Sequence, residues 1–478
     1  MKQPYELTIK EAIDLMNDGK LTSYDLVKSC LDRIEGMEPT INAFTYISKE
    51  KALQQASQID ERRSKGEPLG RLAGIPYSLK DVYNTYEEPT TAGSKMLDGY
   101  ISPYNATVYE KLTQEDAILI GKTNCDPFGF GSSTENSAYG ITRNPVNTEH
   151  VPGGSSGGSG AAVAYGGGLF SIGEDTGGSI RCPAAFCGIY GLKPTYGRVS
   201  RYGAIAYASS YDTVGPMTKD VYDNALVMEV ISGIDEKDAT TSPSDIPQYT
   251  EEMMTTIKGK KVGYVKEFMG EGVDKDVKEA LEKALEKYKA LGCEIVEVSL
   301  PSTEYAIAAY YVIGISEASS NLARMDGMRF GVEDSASNWK EKIINARGKG
   351  FGAEEKRRIM VGTYALSAGY ADKYYHKAQA VRGLLKQEIL KAFEKVDILV
   401  TPTMPVTAPK IGENTDDPLK MWLMDAFTVT INPVGVPAMS IPCGTDSQGL
   451  PIGMQLIGKH FDESTIFAFA NAFDSSKE

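Results

Sequence analysis

Histidine is nearly absent from this sequence: three among 478 residues, at positions 150, 376 and 460. A hydroxyl or thiol nucleophile that relied on an imidazole base would have few candidates, and none of the three sits in the context of a Ser-His-Asp arrangement. His150 lies shortly before Ser155, His376 falls in a tyrosine-rich helical stretch, and His460 stands in a charged segment near the C-terminal end. Each reads as a surface residue. Cysteine is also sparse, with six residues at 30, 125, 182, 187, 293 and 443 and no CxxC pair. That excludes a disulfide scaffold. Cys182 and Cys187 have no histidine near them in sequence, so no zinc site is expected, and no metal.

Positive charge is in deficit. The net charge is −14 and the pI about 5.0, which excludes a broad nucleic-acid surface built from clustered Lys and Arg. If an RNA is involved, another chain holds it. Long apolar runs are missing too. None reaches the ~18 residues of a membrane span, and the N-terminal Met-Lys-Gln-Pro-Tyr-Glu lacks the apolar core of a secretion signal. The expectation is a cytoplasmic protein with reduced thiols and no membrane contact.

What is present is an ordinary globular composition, 41% hydrophobic and 24% charged, in a chain long enough for a large core. Residues 8–60 read as helices: Thr8 and Glu11 have capping-box spacing, and Leu21–Thr22–Ser23 restarts a second helix after Gly19. Short strands are expected at 71–80, ending in Lys80, and at 117–121. Residues 129–219 are rich in glycine and serine but carry Leu169, Phe170, Ile172 and Leu192, so they form tightly wound core backbone with little helical periodicity instead of a linker. Residues 236–259 read as a polar surface excursion. A strand–helix–strand unit follows over Lys261–Val265, 275–291 and Cys293–Leu300. Helices are expected within 303–325 and 353–395, and strands at Asp397–Val400, Thr428–Ile431 and Met439–Ile441. The pattern predicts an α/β fold: a single large domain spanning 1–478, with a mixed central sheet covered by helices on both faces. Within it, a helical segment covers about 1–65, a catalytic core about 66–220, and additions that shape the pocket about 221–478.

Two glycine-serine runs carry the chemistry, VPGGSSGGSG at 151–160 and GEDTGGSIRCPA at 173–184. Either alone could be a turn. Neither ends in the Gly-Lys-Ser/Thr of a phosphate-binding loop, and GFGSST at 129–134 only half resembles a dinucleotide loop. The remaining reading is a nucleophile with an oxyanion hole. In Thr176-Gly177-Gly178-Ser179 the glycines let several N–H groups converge without Cβ clashes, and such donors stabilise a tetrahedral intermediate. A lysine serves as base only as the neutral amine, which burial favours, and Lys80 closes the apolar run Leu72–Leu79.

AGIPYSLKD, PGGSSGGSGAA and GEDTGGSIRCPAAFCGIYGLKPTYGRVS, in this order, resemble the amidase signature family. The resemblance implies a Ser-Ser-Lys triad, with Lys80 as base, Ser155 as bridge and Ser179 as nucleophile, and a cis peptide at Ser155. It extends to GSSTENSAYG at 131–140, SEASSNLARMDGMRFG at 316–331, KRRIMVGTYALSAGYADKYYHKAQAVR at 356–382 and GLPIGMQLIGKHFDE at 449–463. These stretches are similar to the branch that supplies the glutaminase subunit of tRNA-dependent amidotransferases.

That branch implies hydrolysis of glutamine to glutamate and ammonia, with the ammonia used to amidate Glu-tRNA(Gln). It also implies Arg358, Asp425 and Tyr310 as substrate-binding residues. No cofactor is expected in this chain. ATP and Mg belong to a separate tRNA-binding kinase/transamidase subunit, a small third subunit completes the heteromer, and tRNA is met only through the partner. The sequence leaves open a stand-alone amidase of another small amide, and a non-catalytic scaffold subunit. It departs from the family's usual pattern in three places: Cys125-Asp126-Pro127-Phe128 stands where Met-Asp-Glu-Phe is usual, Glu174 where a small residue is usual, and Cys182 where glutamine is common.

Overall fold

The computed structural model describes residues 2–270, 272–415 and 418–475. Capping fixes the first elements as the sequence predicts. Thr8 Oγ1 accepts from Glu11 N at 3.1 Å while Glu11 Oε2 accepts from Thr8 N at 3.0 Å, opening the helix Ile9–Asn17. Thr22 caps the next helix, Ser23–Ile41, by accepting from Asp25 N. That helix stops at Asn42, whose φ of 55° is left-handed.

Eleven strands join into one sheet among the described residues. They are β1 (Phe44–Ile47), β2 (Pro76–Lys80), β3 (Ile118–Thr123), β4 (Phe170–Asp175), β5 (Tyr190–Lys193) and β6 (Thr213–Thr218). The later ones are β7 (Lys261–Val265), β8 (Glu294–Val298), β9 (Ile398–Pro402), β10 (Ala438–Thr445) and β11 (Pro451–Ile457). Their spatial order is β1-β3-β2-β4-β6-β5-β10-β11-β9-β7-β8. The sheet is mixed: β3-β2-β4 and β9-β7-β8 run parallel, and the other pairs are antiparallel. Strands from the N-terminal segment, the glycine-rich middle and the C-terminal part all enter it, so the chain folds around one core.

Every residue of β2, β3, β4, β5, β6 and β9 is buried, which requires cover on both faces. Helices supply it. Gly157–Tyr165 packs on β4 and β2, and Arg181–Cys187 packs on β5 and β11. Both lie in the stretch that shows little helical periodicity in sequence. They are short and buried on all sides, and without a solvent-facing stripe a helix leaves no periodic signature.

One predicted strand is absent. Thr428–Ile431 forms successive turns, with Thr428 N donating to Asp425 O at 3.0 Å and Ile431 N to Thr428 O at 3.1 Å. Its β-branched residues are buried by wrapping over the glycine turn: a Cβ on Gly178 would stand 2.4 Å from Thr428 Oγ1, and Arg181 Nη1 donates to Thr428 O at 3.2 Å. Burial, not sheet pairing, is what this apolar run encodes.

Candidate active site

Strands β2 and β4 are parallel neighbours, so their carboxyl ends deliver their last residues side by side. Lys80 ends β2 and Asp175 ends β4, with the glycine turn following directly. Lys80 is fully buried. Its Nζ donates to Ser155 Oγ at 2.8 Å, to Glu174 Oε2 at 2.9 Å and to Glu174 O at 3.3 Å. The Gly154–Ser155 peptide bond is cis. The departing Cys125–Phe128 stretch lies against this bridge, because Asp126 N donates to Ser155 O at 3.2 Å. Asp126 is buried and receives the N–H of Thr134 at 2.9 Å. Burial pushes its carboxyl up to about 7.

Ser179 sits next to this pair. Its carbonyl accepts from Ser156 N at 3.1 Å, and its hydroxyl bonds to no protein group among the described residues. Asp175 holds the turn's shape by accepting from Gly178 N at 2.9 Å and Ile180 N at 3.1 Å. That contact occupies Gly178's N–H, whereas those of Thr176, Gly177 and Ser179 meet no protein acceptor among the described residues. Glycine is required twice here. Gly178 has φ +134°, and a Cβ on Gly177 would lie 2.3 Å from Tyr310 Oη. Asp175 in turn is anchored by the fully buried Arg181, whose Nη2 and Nε donate to it at 2.9 and 3.0 Å. Arg181 also donates to Asn432 Oδ1 at 2.6 Å.

A small cavity opens on Ser179. Gly131, Ser132, Tyr207, Tyr310, Tyr311, Arg358 and Asp425 line it with the glycine turn. The structure therefore gathers Tyr310, Arg358 and Asp425 at Ser179, although they stand far from it in sequence. Asp425 Oδ2 accepts from Ser132 Oγ at 2.7 Å and Tyr311 Oη at 2.8 Å, leaving Oδ1 without a protein donor among the described residues. Burial raises this carboxyl to about 6, against the pull of those two hydroxyls and of Arg358. Arg358 donates Nε to Glu354 at 2.7 Å and Nη1 to Tyr207 Oη at 3.0 Å. Burial works against its charge, but Tyr207 and Glu354 outweigh that and hold the guanidinium protonated. Its remaining Nη2 meets no acceptor among the described residues.

Sequence reasoning missed Ser132, Tyr207 and Tyr311. Ser132 lies within GSSTENSAYG and Tyr311 adjoins Tyr310, so a pointer existed for both; nothing in the sequence marks Tyr207. The three histidines lie elsewhere. His150 Nδ1 is 2.6 Å from Ala408 O, His460 Nε2 is 3.1 Å from Val434 O, and His376 pairs with Asp372 in the open. His150 is buried and His460 half-buried, so only His376 is the surface residue expected of all three. A larger cleft, lined by His150, Asp274, Lys410 and Phe427, holds none of Lys80, Ser155 and Ser179. Among the described residues no three His, Cys, Asp or Glu side chains cluster as a metal site would need, and no helix is long and apolar enough to cross a membrane.

A buried Lys-Ser contact stands beside a Gly-Gly-Ser turn at parallel strand ends, with no histidine lining the cavity, and the amidase family model matches residues 25–467. The chain belongs to the amidase family. Over 469 residues, 98% of each chain, it is 51% identical to the A-subunit of glutamyl-tRNA(Gln) amidotransferase from Koribacter versatilis. The same subunit from Caldanaerobacter subterraneus is 50% identical over 99% of this chain and 96% of its own. Among solved structures, the same subunit from Thermotoga maritima shares 39% identity and a TM-score of 0.82, covering 99% of this chain and 95% of that one. A bacterial aryl acylamidase of the amidase signature family, 26% identical, superimposes with a TM-score of 0.86 over 98% and 96%.

Proposed function

We propose that this chain is the glutaminase subunit of a tRNA-dependent amidotransferase and that it works through Lys80, Ser155 and Ser179. The observation that carries the reading is the composition of the Ser179 cavity. Free glutamine brings a carboxylate and an ammonium, and the cavity offers Arg358 Nη2 for the one and Asp425 Oδ1 for the other. An amide lacking these groups has no use for both.

The steps combine the Lys80–Ser155 contact with the Ser155–Ser179 relay that membership of the amidase family suggests. As the neutral amine, Lys80 draws the Ser155 hydroxyl proton across 2.8 Å while Ser155 takes that of Ser179. Ser179 Oγ attacks the side-chain carbonyl of glutamine. The developing oxyanion meets N–H groups of residues 176–179, with those of Thr176, Gly177 and Ser179 uncommitted and that of Gly178 shared with Asp175. The proton returns through Ser155 to the leaving nitrogen, ammonia departs, and water hydrolyses the glutamyl ester by the same route. The released ammonia serves to convert Glu-tRNA(Gln) to Gln-tRNA(Gln).

The acidic surface charge fits a subunit that leaves tRNA to its partner. The kinase/transamidase partner would hold the tRNA and supply ATP and Mg chemistry, a small third chain would complete the assembly, and the assembly would be cytoplasmic. A second reading, a stand-alone hydrolase of another amide, draws on the close superposition with the aryl acylamidase. Ammonia release from glutamine by the purified chain with its co-purifying partners, beside a Ser179→Ala preparation, tests the assignment. Release abolished by the alanine supports it. Equal release from both preparations removes Ser179 from the mechanism, and turnover of aryl amides in place of glutamine supports the second reading.

A further inference from the structure

Glu174 points its carboxylate at Lys80. It is the penultimate residue of β4 and is 4% exposed. Two of the three acceptors around Lys80 Nζ belong to it: Oε2 at 2.9 Å and its own carbonyl at 3.3 Å, the third being Ser155 Oγ. An ammonium with three N–H groups satisfies all three. A neutral amine has two N–H groups and one lone pair. With Glu174 occupying two directions, the lone pair is left facing Ser155. The clamp therefore aims the base and sets a carboxylate oxygen 2.9 Å from the nitrogen whose proton must leave.

The other carboxylate oxygen leads away from the catalytic centre. Thr176 Oγ1 is 2.5 Å from Glu174 Oε1 and 2.7 Å from Asp212 Oδ1. One hydroxyl has one proton, so satisfying both contacts requires a second proton, carried by Glu174 or Asp212. Burial, and then the charge of Glu174, push the Asp212 carboxyl well above the usual range, which assigns the proton to Asp212. Glu174 and Asp212 line a cavity of about 170 Å³ with Arg201, Lys237 and Asp238. Lys237 is exposed, so this cavity reaches solvent, and it shares no residue with the one at Ser179.

We propose that Glu174 is a positioning residue that aims Lys80 at Ser155 and takes up the proton Lys80 must release, so that the pH profile of nucleophile activation depends on Glu174, with Asp212 and its cavity as the route for proton exchange. In the step that arms the enzyme, a Lys80 N–H bond breaks and the proton passes to Glu174 Oε2 and on to cavity water. The nitrogen keeps the electron pair, and rotation about the Cε–Nζ bond returns an N–H to Glu174 and turns the pair toward Ser155.

The other ionisable groups facing this pair are otherwise engaged. Asp81 lies 3.5 Å from Lys122, Asp126 is held by backbone N–H groups, and Asp175 is bound to Arg181. Tyr83 donates to Gly173 O at 2.7 Å, Arg201 lies 3.7 Å from Asp238, and burial keeps the Cys125 thiol protonated.

The inference rests on the Lys80-Ser155-Ser179 reading, and one experiment separates the two. A fluorophosphonate probe is reacted with the protein and its co-purifying partners between pH 5 and 9, using wild type, Ser179→Ala, Glu174→Gln and Glu174→Ser. Labelling of wild type that vanishes in Ser179→Ala supports the nucleophile; wild type that resists labelling at Ser179 overturns the triad reading and this inference with it. Given labelling, both Glu174 variants should reach half-maximal rate about one pH unit or more below wild type, with a plateau within about tenfold. Coincident pH profiles overturn the role of Glu174. So does a folded variant slowed equally at every pH, because purely structural support has that signature.

Discussion

Lys80 Nζ stands 2.8 Å from Ser155 Oγ, with 75 positions between them and both side chains fully buried. A lysine excluded from water and aimed at a hydroxyl is the arrangement that a base without an imidazole needs. Residues that act as one unit lose their effect together. Lys80→Ala and Ser179→Ala should therefore each lower kcat for glutamine by about 10⁴-fold or more, and the double variant should be no worse than the single ones. Steady-state ammonia release measures this; losses that multiply would separate the two residues mechanistically.

Asp425 gives the pocket a pH dependence of its own. Its carboxyl titrates at about 6, so below that value it is neutral and offers no charge to a substrate ammonium. KM for glutamine should rise as pH falls below about 6, approaching tenfold per unit. Asp425→Asn should show a raised and pH-flat KM over the same range.

The turn beneath Tyr310 tolerates no side chain. Gly177→Ala would drive Cβ to 2.3 Å from Tyr310 Oη, displacing either the ring or the N–H donors. Loss of one oxyanion donor costs about 3–4 kcal/mol of barrier. A kcat lower by about 10²–10³-fold is expected, with circular dichroism unchanged. Adding Tyr310→Phe, which removes the clashing oxygen, should recover part of it.

Arg181 and Asp175 form a fully buried pair at 2.9 Å. Removing one partner strands the other charge, so Arg181→Met should destabilise the fold by about 3–5 kcal/mol. Burial alone would raise the Asp175 carboxyl, but Arg181's charge and hydrogen bonds outweigh it and hold it well below the usual range. The sign follows: this stabilisation is complete above the unfolded carboxylate value of about 3.9 and is lost as pH falls through the lower folded value. Urea midpoints between pH 3 and 7 should fall toward acid in wild type, and less so in Arg181→Met.

No disulfide joins the six cysteines; five are buried and Cys443 is half-buried. Burial pushes the Cys30 thiol up to about 12. Thiol titration of the native protein should find at most one rapidly reacting group, and six after unfolding. A native count above one would mean that the core opens on that timescale.

Much of this was legible locally. The Thr8 capping box, the strand–helix–strand unit after residue 260 and the burial of Lys80 follow from spacing and hydrophobicity, which act over a few residues. The same local reading failed at Thr428–Ile431, where apolar β-branched residues signalled burial but not pairing. It also missed the two short helices on either side of β4, whose all-round burial removes periodicity.

The sequence by itself determined the chemistry available: a serine-glycine turn, a lysine in an apolar strand, three histidines none of which has the context of a conventional triad, and a glutamate just before the turn. Which groups meet was decided only by the tertiary structure. Arg358, Asp425, Ser132 and Tyr207 converge on Ser179 because separate elements pack against one another around it, and that packing acts between residues as far apart as Ser132 and Asp425. The contact between Glu174 and Lys80 belongs to the same category. It exists because β2 and β4 pair in parallel and in register, a relation that neither strand's own residues state.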